Sequence, residues 1–398
     1  MGDLTADLMG CSANGQVAAA TNSPWRWLSQ VRWMFDTSEL GLLGRADMTL
    51  QVESTKLREG SQTLLEAKHH LHREGIGNAT APRDVGGGGY RWVVQLPIQF
   101  LVGYRDLNMR DAAHLGHAEL LLLDDSWITR DELHQAVAGE LIGVAATEPS
   151  GGSNLATAST TIAVPTPSGW ELTGEKKWIS RIEEAGAFVI FARVHDDIAA
   201  FYVRSTNEGL TRASLVPSGL TGWSWGSLVM NCARVRTTDM IGGATAGVSL
   251  FRRHFARYRP LVAATCLGAA AASIDHWVGF VLSRSDGGRV LMGGALEKIG
   301  QCRSRIILAI SGLIAGALHT ADPDPIWAKM AKAHSVEVAL RAARSAARSM
   351  GAQSYEAEHP VRRILRDLEA FEYADGAVDP LFRSSGYAYV RQIADGDG

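Results

Sequence analysis

This chain is short of cysteine, of net charge and of long unbroken apolar runs, and each shortage removes a class of explanation. Its four cysteines, Cys11, Cys232, Cys266 and Cys302, stand far apart, without C-x-x-C spacing or nearby histidine partners. That pattern fits a reduced, cytoplasmic protein without structural zinc best. A formal charge of −3 over 398 residues gives no global basic field, so neither nucleic acid nor a membrane surface is an expected partner. Met1 to Ser23 lacks the basic start and apolar stretch of a secretory signal, and Ala6 replaces the hydroxyl residue of a myristoylation motif. The longest apolar run, Leu261 to Leu282, is rich in Ala and Gly and is interrupted by Asp275-His276. A packed bundle helix suits it better than a membrane span. There is no G-x-S-x-G elbow, no Walker loop and no internal repeat. The histidine groups His69, His70 and His72, and His114 with His117, have no carboxylate to complete a metal site. No metal is expected, and surface or packing roles are expected for these histidines.

What the chain does have is 46% hydrophobic residues and 11 tryptophans, enough for one large core or two to three linked ones. After a flexible N-terminus at residues 1–24, residues 25–141 read as a helical domain. Apolar residues recur there at three- and four-residue spacings from Ser54 to His72 and from Asp111 to Asp124. The run Ala81 to Tyr90 contains four consecutive glycines but lacks the strand-then-helix setting of a dinucleotide fingerprint, so it reads as a loop between helices. Residues 142–241 turn to short β-rich runs, Thr160 to Val164, Ala187 to Arg193 and Ala199 to Arg204, which predict a small barrel or sandwich. Residues 242–398 return to helix at Val248 to Phe255, Pro260 to Ser283, Gly294 to His319, Asp324 to Met350 and His359 to Tyr373. The expected class is α+β, with a helical domain, a middle β-barrel and a C-terminal four-helix bundle.

Two segments of the middle region carry the sharpest pattern. Ala145-Ala146-Thr147-Glu148-Pro149-Ser150-Gly151-Gly152-Ser153-Asn154 packs hydroxyls, a turn proline and paired glycines, so its backbone can approach a flat or phosphorylated ligand. Gly174-Glu175-Lys176-Lys177-Trp178-Ile179-Ser180 places an aromatic plane and a hydroxyl two residues apart on one strand face. Singly, each is compatible with an ordinary turn or an ordinary barrel aromatic. Together they resemble the middle domain of the acyl-CoA dehydrogenase family, whose pattern is Thr-Glu-Pro-x-x-Gly-Ser-Asp followed by Gly-x-Lys-x-Trp-Ile-Thr-Asn. The order helical, β, helical bundle extends that resemblance over nearly the whole chain. It implies FAD as cofactor, held by Thr147, Ser153, Trp178 and Ser180. The family's final threonine is Ser180 here, which keeps a hydroxyl for flavin N5, while its aspartate is Asn154 and its asparagine Arg181.

The resemblance also points to the C-terminal region. Pro360-Val361-Arg362-Arg363-Ile364-Leu365-Arg366-Asp367 matches a family Pro-to-Arg-Asp element, and eight residues past that aspartate the family has its catalytic glutamate. Here the count lands on Ala374-Asp375-Gly376-Ala377. Dehydrogenation of a thioester needs a carboxylate to take the α proton while hydride leaves the β carbon, so Asp375 is the candidate catalytic base. Its side chain is one methylene short of glutamate, and a shift of about 1 Å can cost on the order of a hundredfold in rate. Glu369 and Glu372 are alternatives if the segment is repositioned. The family's cross-subunit Arg-x-x-Phe-Gly element appears as Arg284-Ser285-Asp286-Gly287-Gly288, making Arg284 a further cofactor candidate without its aromatic partner. Its Gly-Gly and threonine become Gly351-Ala352 and Ala377.

Phe251 to Arg259 puts Phe251, Phe255 and Tyr258 on one helical stripe and Arg252, Arg253 and Arg257 on others, which reads first as a solvated basic face. Arg259-Pro260 matches a family Arg-Pro near the substrate entrance, so Arg259 is the candidate substrate-binding residue, for the phosphates of CoA or the arm of a carrier protein. Arg341, Arg344 and Arg348 form a second basic stripe and read as solvated. The expected protein is an FAD-dependent acyl-CoA dehydrogenase-like oxidoreductase of specialised metabolism, acting on an acyl thioester of CoA or acyl carrier protein. A homodimer or homotetramer is expected. The sequence leaves two alternatives: a flavin-dependent monooxygenase on the same scaffold, or a non-catalytic partner subunit.

Overall fold

A computed structural model describes residues 23–151, 155–284, 293–320 and 322–396. The expected flexible N-terminus lies outside the described residues up to 22, as do Ser153, Asn154 and the residues 285–288 that follow Arg284.

The first helices are fixed by their caps. Helix α1 spans Thr37–Arg58: the Asp36 carboxylate accepts the Glu39 N–H at 2.9 Å and the Glu39 carboxylate accepts the Asp36 N–H at 3.0 Å. Helix α2, Leu64–Arg73, repeats the device with Thr63 and Glu66. The expected single helix from Ser54 to His72 is therefore broken between Arg58 and Leu64, where the left-handed Gly60 turns the chain and Thr63 starts a new helix. Periodicity ran through the gap, and capping chemistry decided against it. Helix α3 covers Gln95–Arg105. The next expected helix, Asp111 to Asp124, is instead a turn followed by 3-10 geometry at Gly116–Leu123. Polar side chains there take up backbone groups: His114 Nδ1 accepts the Gly116 N–H at 2.6 Å. Helix α4, Asp131–Val137, leads into the sheet.

The strands are β1 Ile142–Ala145, β2 Ile162–Thr166, β3 Gly169–Ser180, β4 Ala187–Val194, β5 Asp197–Arg204, β6 Leu210–Leu215, β7 Trp225–Arg236 and β8 Met240–Ile241. They form one mixed sheet in the order β6-β7-β3-β2-β4-β5-β8, with β1 parallel to β4. Alternation assigns the faces of β4: Phe188, Ile190 and Ala192 pack with Phe201, Val203, Leu228 and Met230 inside the curl of the sheet. Ala187, Val189 and Phe191 pack outward onto the helices with Trp127, Leu133 and Leu250.

Helix α5 runs unbroken through Gly247–Ser283, with Pro260 inside it, where the sequence predicts two segments. A mid-helix proline removes one backbone bond and costs about 3 kcal/mol or more. Burial of every residue from Tyr258 to Ile274 offsets that cost. Gly103 of α3 and Gly268 of α5 let the two backbones meet, since a Cβ at either would collide with the carbonyl of Thr265 or of Phe100. Asp275, the residue that spoiled the apolar run, accepts from Trp27 Nε1 at 3.0 Å and Tyr104 Oη at 2.6 Å. The bundle is completed by α6 Gly293–Ala317, α7 Pro325–Met350, α8 Pro360–Glu369 and α9 Val378–Ala394. Helix α9 was not expected; its Gly386 and spaced tyrosines hid the periodicity.

Candidate active site

Two regions gather the candidate residues. The first is built on β3. Glu148 is buried, and its carboxylate accepts from Lys176 Nζ at 2.8 Å, from Ser159 Oγ, and from the backbone N–H and hydroxyl of both Thr160 and Thr161. Burial alone would raise its pKa, but the Lys176 ammonium and the threonine donors outweigh burial and hold it well below the usual carboxylate range. This anchor fixes the Thr147 loop beside β3, where the Lys177 N–H donates to the Thr147 carbonyl at 2.8 Å. Thr147 is exposed and Trp178 is 58% exposed. A bulge between Lys177 and Ile179 gives Trp178 a φ of 62°, and the Lys177 ammonium lies 5.3 Å from the Trp178 ring centroid. An aromatic residue in left-handed backbone, presented to solvent rather than to the core, is strained and unburied at once. Its surroundings fit a flat aromatic ligand such as an isoalloxazine ring, and no side chain among the described residues buries it. Ser180, two residues on, is half-buried. Arg284 is exposed at the end of α5, stacked on Phe280 at 4.4 Å, and no contact among the described residues brings it to this face.

The second region begins where β3 ends. Ser180 pairs with Trp225 across the sheet. The Trp225 ring packs 5.6 Å from the Arg110 guanidinium, whose Nη1 lies 4.0 Å from Asp375 Oδ2. The strand assigned to the cofactor and the candidate base are therefore joined through one buried arginine. Asp375 sits in left-handed backbone at φ 58°, which aspartate tolerates better than most residues, with Gly376 at 103° behind it. Two buried cations pin that turn. Arg259 Nε donates to the Asp375 carbonyl at 2.9 Å, and Lys332 Nζ donates to the carbonyls of Phe371 and Gly376, each at 2.6 Å. Burial pushes Arg259 down to about 10 and Lys332 down to about 8, both against the pull of Asp375. Asp375 Oδ2 is buried and accepts no hydrogen bond.

Arg259 therefore lies against the candidate base, while Arg252 and Arg253 on the same segment are exposed. The solvated-face expectation holds for those two arginines and not for Arg257, which is mostly buried and whose Nε donates to the buried Glu119 carboxylate at 3.2 Å. The exposed Arg344 lies 3.7 Å from Glu369 and 3.9 Å from Glu372, both of them outside the buried site, so neither glutamate replaces Asp375.

Beneath Arg110 lies a network that sequence reasoning missed. Asp111 is fully buried and is paired with Arg181 through Oδ2, and its Oδ1 accepts from Tyr258 Oη at 2.8 Å. Lys68 Nζ reaches His72 Nε2 at 2.8 Å and the carbonyls of Asp111 and His114. His117 Nδ1 and His254 Nε2 are 2.8 Å apart. Burial drives His117 well below its ordinary value and His254 to about 3, so both are neutral. His72, His114 and His117 thus have buried packing roles within a polar network that the sequence did not show, while His69 and His70 are partly exposed. Among the described residues no cluster suits a metal ion. The one available signal was the dense run Arg110-Asp111-Ala112-Ala113-His114, too polar for a core helix. A cavity of about 10 Å³ borders Gln99, Arg110, His114, Tyr258, Thr265 and Phe371.

Comparison with known proteins decides the family. Residues 143–232 match the acyl-CoA dehydrogenase middle domain and residues 245–381 the acyl-CoA dehydrogenase C-terminal domain, more than half of the chain between them. The chain belongs to the acyl-CoA dehydrogenase family. Among curated relatives of this family, the mouse mitochondrial short-chain specific acyl-CoA dehydrogenase is 28% identical over 254 residues, 60% of each chain. This chain thus spans about 60% of the length of that relative. A glutaryl-CoA dehydrogenase from Mycobacterium smegmatis, in complex with FADH2, shares the fold with a TM-score of 0.83 at 19% identity, covering 91% of this chain and 97% of that one. The prolyl acyl carrier protein oxidase AnaB does so with a TM-score of 0.81 at 16% identity, over 89% and 99%. The helical, β and helical-bundle order of this family member is the arrangement expected from its motifs.

Proposed function

We propose that this protein is an FAD-dependent oxidoreductase that removes the α and β hydrogens of an acyl thioester carried on CoA or acyl carrier protein. The observation that carries the proposal is Asp375 Oδ2, a buried carboxylate oxygen without a donor among the described residues, on a turn that Lys332 holds at Phe371 and Gly376 and Arg259 holds at the Asp375 carbonyl. FAD, when bound, supplies the acceptor for the hydride that leaves the β carbon. Trp178 and Thr147 offer the face on which such a ring system rests, and the Ser180 hydroxyl is the nearby donor on the same strand. Ser153 completes the proposed set for the nucleotide within one subunit, and Arg284 joins it as the residue that a neighbouring copy of the chain contributes. The Asp375 carboxylate takes the α proton at Oδ2, and the bonds from Arg259 and Lys332 hold its backbone still while it does so. Arg110 faces the same oxygen and balances its charge before the proton arrives. The relative named as a prolyl acyl carrier protein oxidase supports a carrier-bound substrate as well as a CoA one.

The proposal extends to a homodimer or homotetramer, for which the exposed Tyr387, Tyr389, Val390 and Ile393 of α9 supply apolar surface. It extends also to a cytoplasmic setting, supported by the free thiols of Cys232, Cys266 and Cys302. The test has two parts. Titration of FAD into the purified protein should quench tryptophan fluorescence to saturation, and anaerobic addition of an acyl thioester should then bleach the oxidised flavin band. Protein that stays colourless with excess FAD overturns the cofactor assignment, and a bound flavin that no thioester reduces overturns the reaction.

A further inference from the structure

We propose that Arg181 sets the electron affinity of the flavin, its buried charge stabilising the ring system once hydride has arrived there. This rests on the FAD reading above and adds the residue that tunes it. Arg181 directly follows Ser180, the hydroxyl assigned to the ring, and stands where the resemblance has asparagine. Its backbone is left-handed at φ 65°, its N–H donates to the Ser224 carbonyl, and its side chain runs inward to the Asp111 carboxylate. A non-glycine residue in that region is strained, and such strain persists only where the surrounding structure imposes it. The guanidinium is 1% exposed, and its Nε and Nη2 have no hydrogen-bond partner among the described residues. A buried cation with half of its fork unpaired is costly, and it is relieved by negative charge that appears beside it.

Asp111 does not neutralise this charge. Arg110 shares the same carboxylate, with Nε 3.6 Å from Asp111 Oδ2, and packs 5.6 Å from Trp225, the residue paired with Ser180. Arg259 and Lys332 are the next cations and Asp375 the next carboxylate, so the buried positive charges outnumber the negative ones. The acids nearest in sequence are turned away: Glu183 accepts from Ser214 Oγ, and Glu184 accepts the Ser224 N–H at 3.1 Å. Neighbouring bases feel the excess. Burial comes first in holding His117 neutral and the Arg181 charge second, and behind burial the same charge presses Lys68 and His254 down. Hydride leaving the β carbon carries two electrons and one proton to its acceptor, while the α proton goes to Asp375. The acceptor thus gains one negative charge, and a cation already fixed in a water-poor site stabilises that charge without rearranging.

The experiment uses the full chain reconstituted with FAD and reads the two-electron midpoint potential of the bound flavin by anaerobic reduction against reporter dyes. Arg181→Met removes one positive charge and should make reduction about tenfold less favourable, a fall of about 30 mV for a two-electron couple. Arg181→Lys keeps the charge and should stay within about threefold of the parent. Asp111→Asn removes the negative partner and should move the potential upward by a similar amount. Opposite signs separate charge from a merely structural role, because loosened packing moves both variants the same way. Thermal unfolding checks each variant, and where Arg181→Met does not fold the upward shift of Asp111→Asn carries the test. Potentials that do not move, that move the same way in both, or that fall as far with lysine as with methionine overturn the inference. Protein that binds no FAD sinks the cofactor reading and this inference together. Potentials that shift as expected in a protein whose flavin no thioester reduces leave this inference standing and remove only the reaction.

Discussion

Two clusters along β3, one at Lys176 and one just past Ser180, use buried charge in opposite ways. At Glu148 a carboxylate is saturated by six donors, one of them the Lys176 ammonium, and nothing in the set is left to bind anything else. At Arg110 and Arg181 the charges are about as deeply buried and Asp375 is mostly covered, yet five of their side-chain atoms have no hydrogen-bond partner among the described residues. A satisfied buried network rigidifies a scaffold, while an unsatisfied one stores a demand for a partner. The first therefore holds Thr147 and Trp178 in place as a surface, and the second is where substrate chemistry is expected. Mutations should separate them, because one region should fail in stability and the other in reaction.

The largest effect should come from Asp375. Asp375→Asn keeps the shape and the tolerance of left-handed backbone while abolishing the base. Anaerobic flavin bleaching by a thioester should slow by about a hundred- to ten-thousandfold, with FAD affinity and thermal midpoint close to the parent's. Bleaching at the parent's rate would remove Asp375 from the reaction.

At the saturated cluster the loss should be structural. Glu148→Gln or Lys176→Met leaves an uncompensated buried partner and should cost about 3–5 kcal/mol in urea unfolding. Arg110→Met deletes two unsatisfied donors along with the charge, so its cost in the same measurement should be well below that of either. Equal losses in both clusters would erase the distinction between a scaffold and a waiting site.

A smaller effect is expected at the ligand face itself. Trp178→Ala should weaken FAD binding by about tenfold, the worth of one aromatic stacking contact, as read by equilibrium dialysis. Folding stability should hardly fall, because the ring is 58% exposed and alanine suffers no more than tryptophan at a φ of 62°. A large loss of stability with unchanged FAD affinity would make Trp178 a structural residue.

These two regions also differ in how far the sequence disclosed them. The Thr147 loop and the Trp178 strand are contiguous stretches whose residue order carries their geometry, and the expected strands matched the observed ones to within two residues at their ends. Asp375 was reachable only by counting from Arg366-Asp367. The Asp367 carboxylate proves to anchor that segment, accepting the Leu220 N–H at 2.8 Å and Asn108 Nδ2 at 3.1 Å. The Arg110 network was invisible because its members come from α2, the turn after α3, the residue that follows β3, α5 and α7, and no local pattern marks residues that meet only after folding. His114 and His117 looked idle for the same reason. Where local chemistry opposed periodicity, at Thr63 and at Gly116, the hydrogen bond to a side chain set the boundary.

The finest probe of the unsatisfied cluster is its pH response, through Lys68. Burial pushes this ammonium down to about 7, although Asp111 pulls the other way, while the unfolded chain titrates near 10.5. Between those values the unfolded state holds the extra proton, so stability rises with pH across the window. Below about pH 7 both states are charged and the full cost of burying the ammonium is felt. Lys332, lowered to about 8, adds the same sign above that pH. One group contributes at most about 1.4 kcal/mol per pH unit, so the slope is modest but has a fixed direction. Urea unfolding of the parent between pH 7 and pH 9 should show stability climbing, and Lys68→Met should climb less steeply. A variant as steep as the parent would move the buried proton away from Lys68 and detach His72 and His114 from the charge balance beneath Arg110.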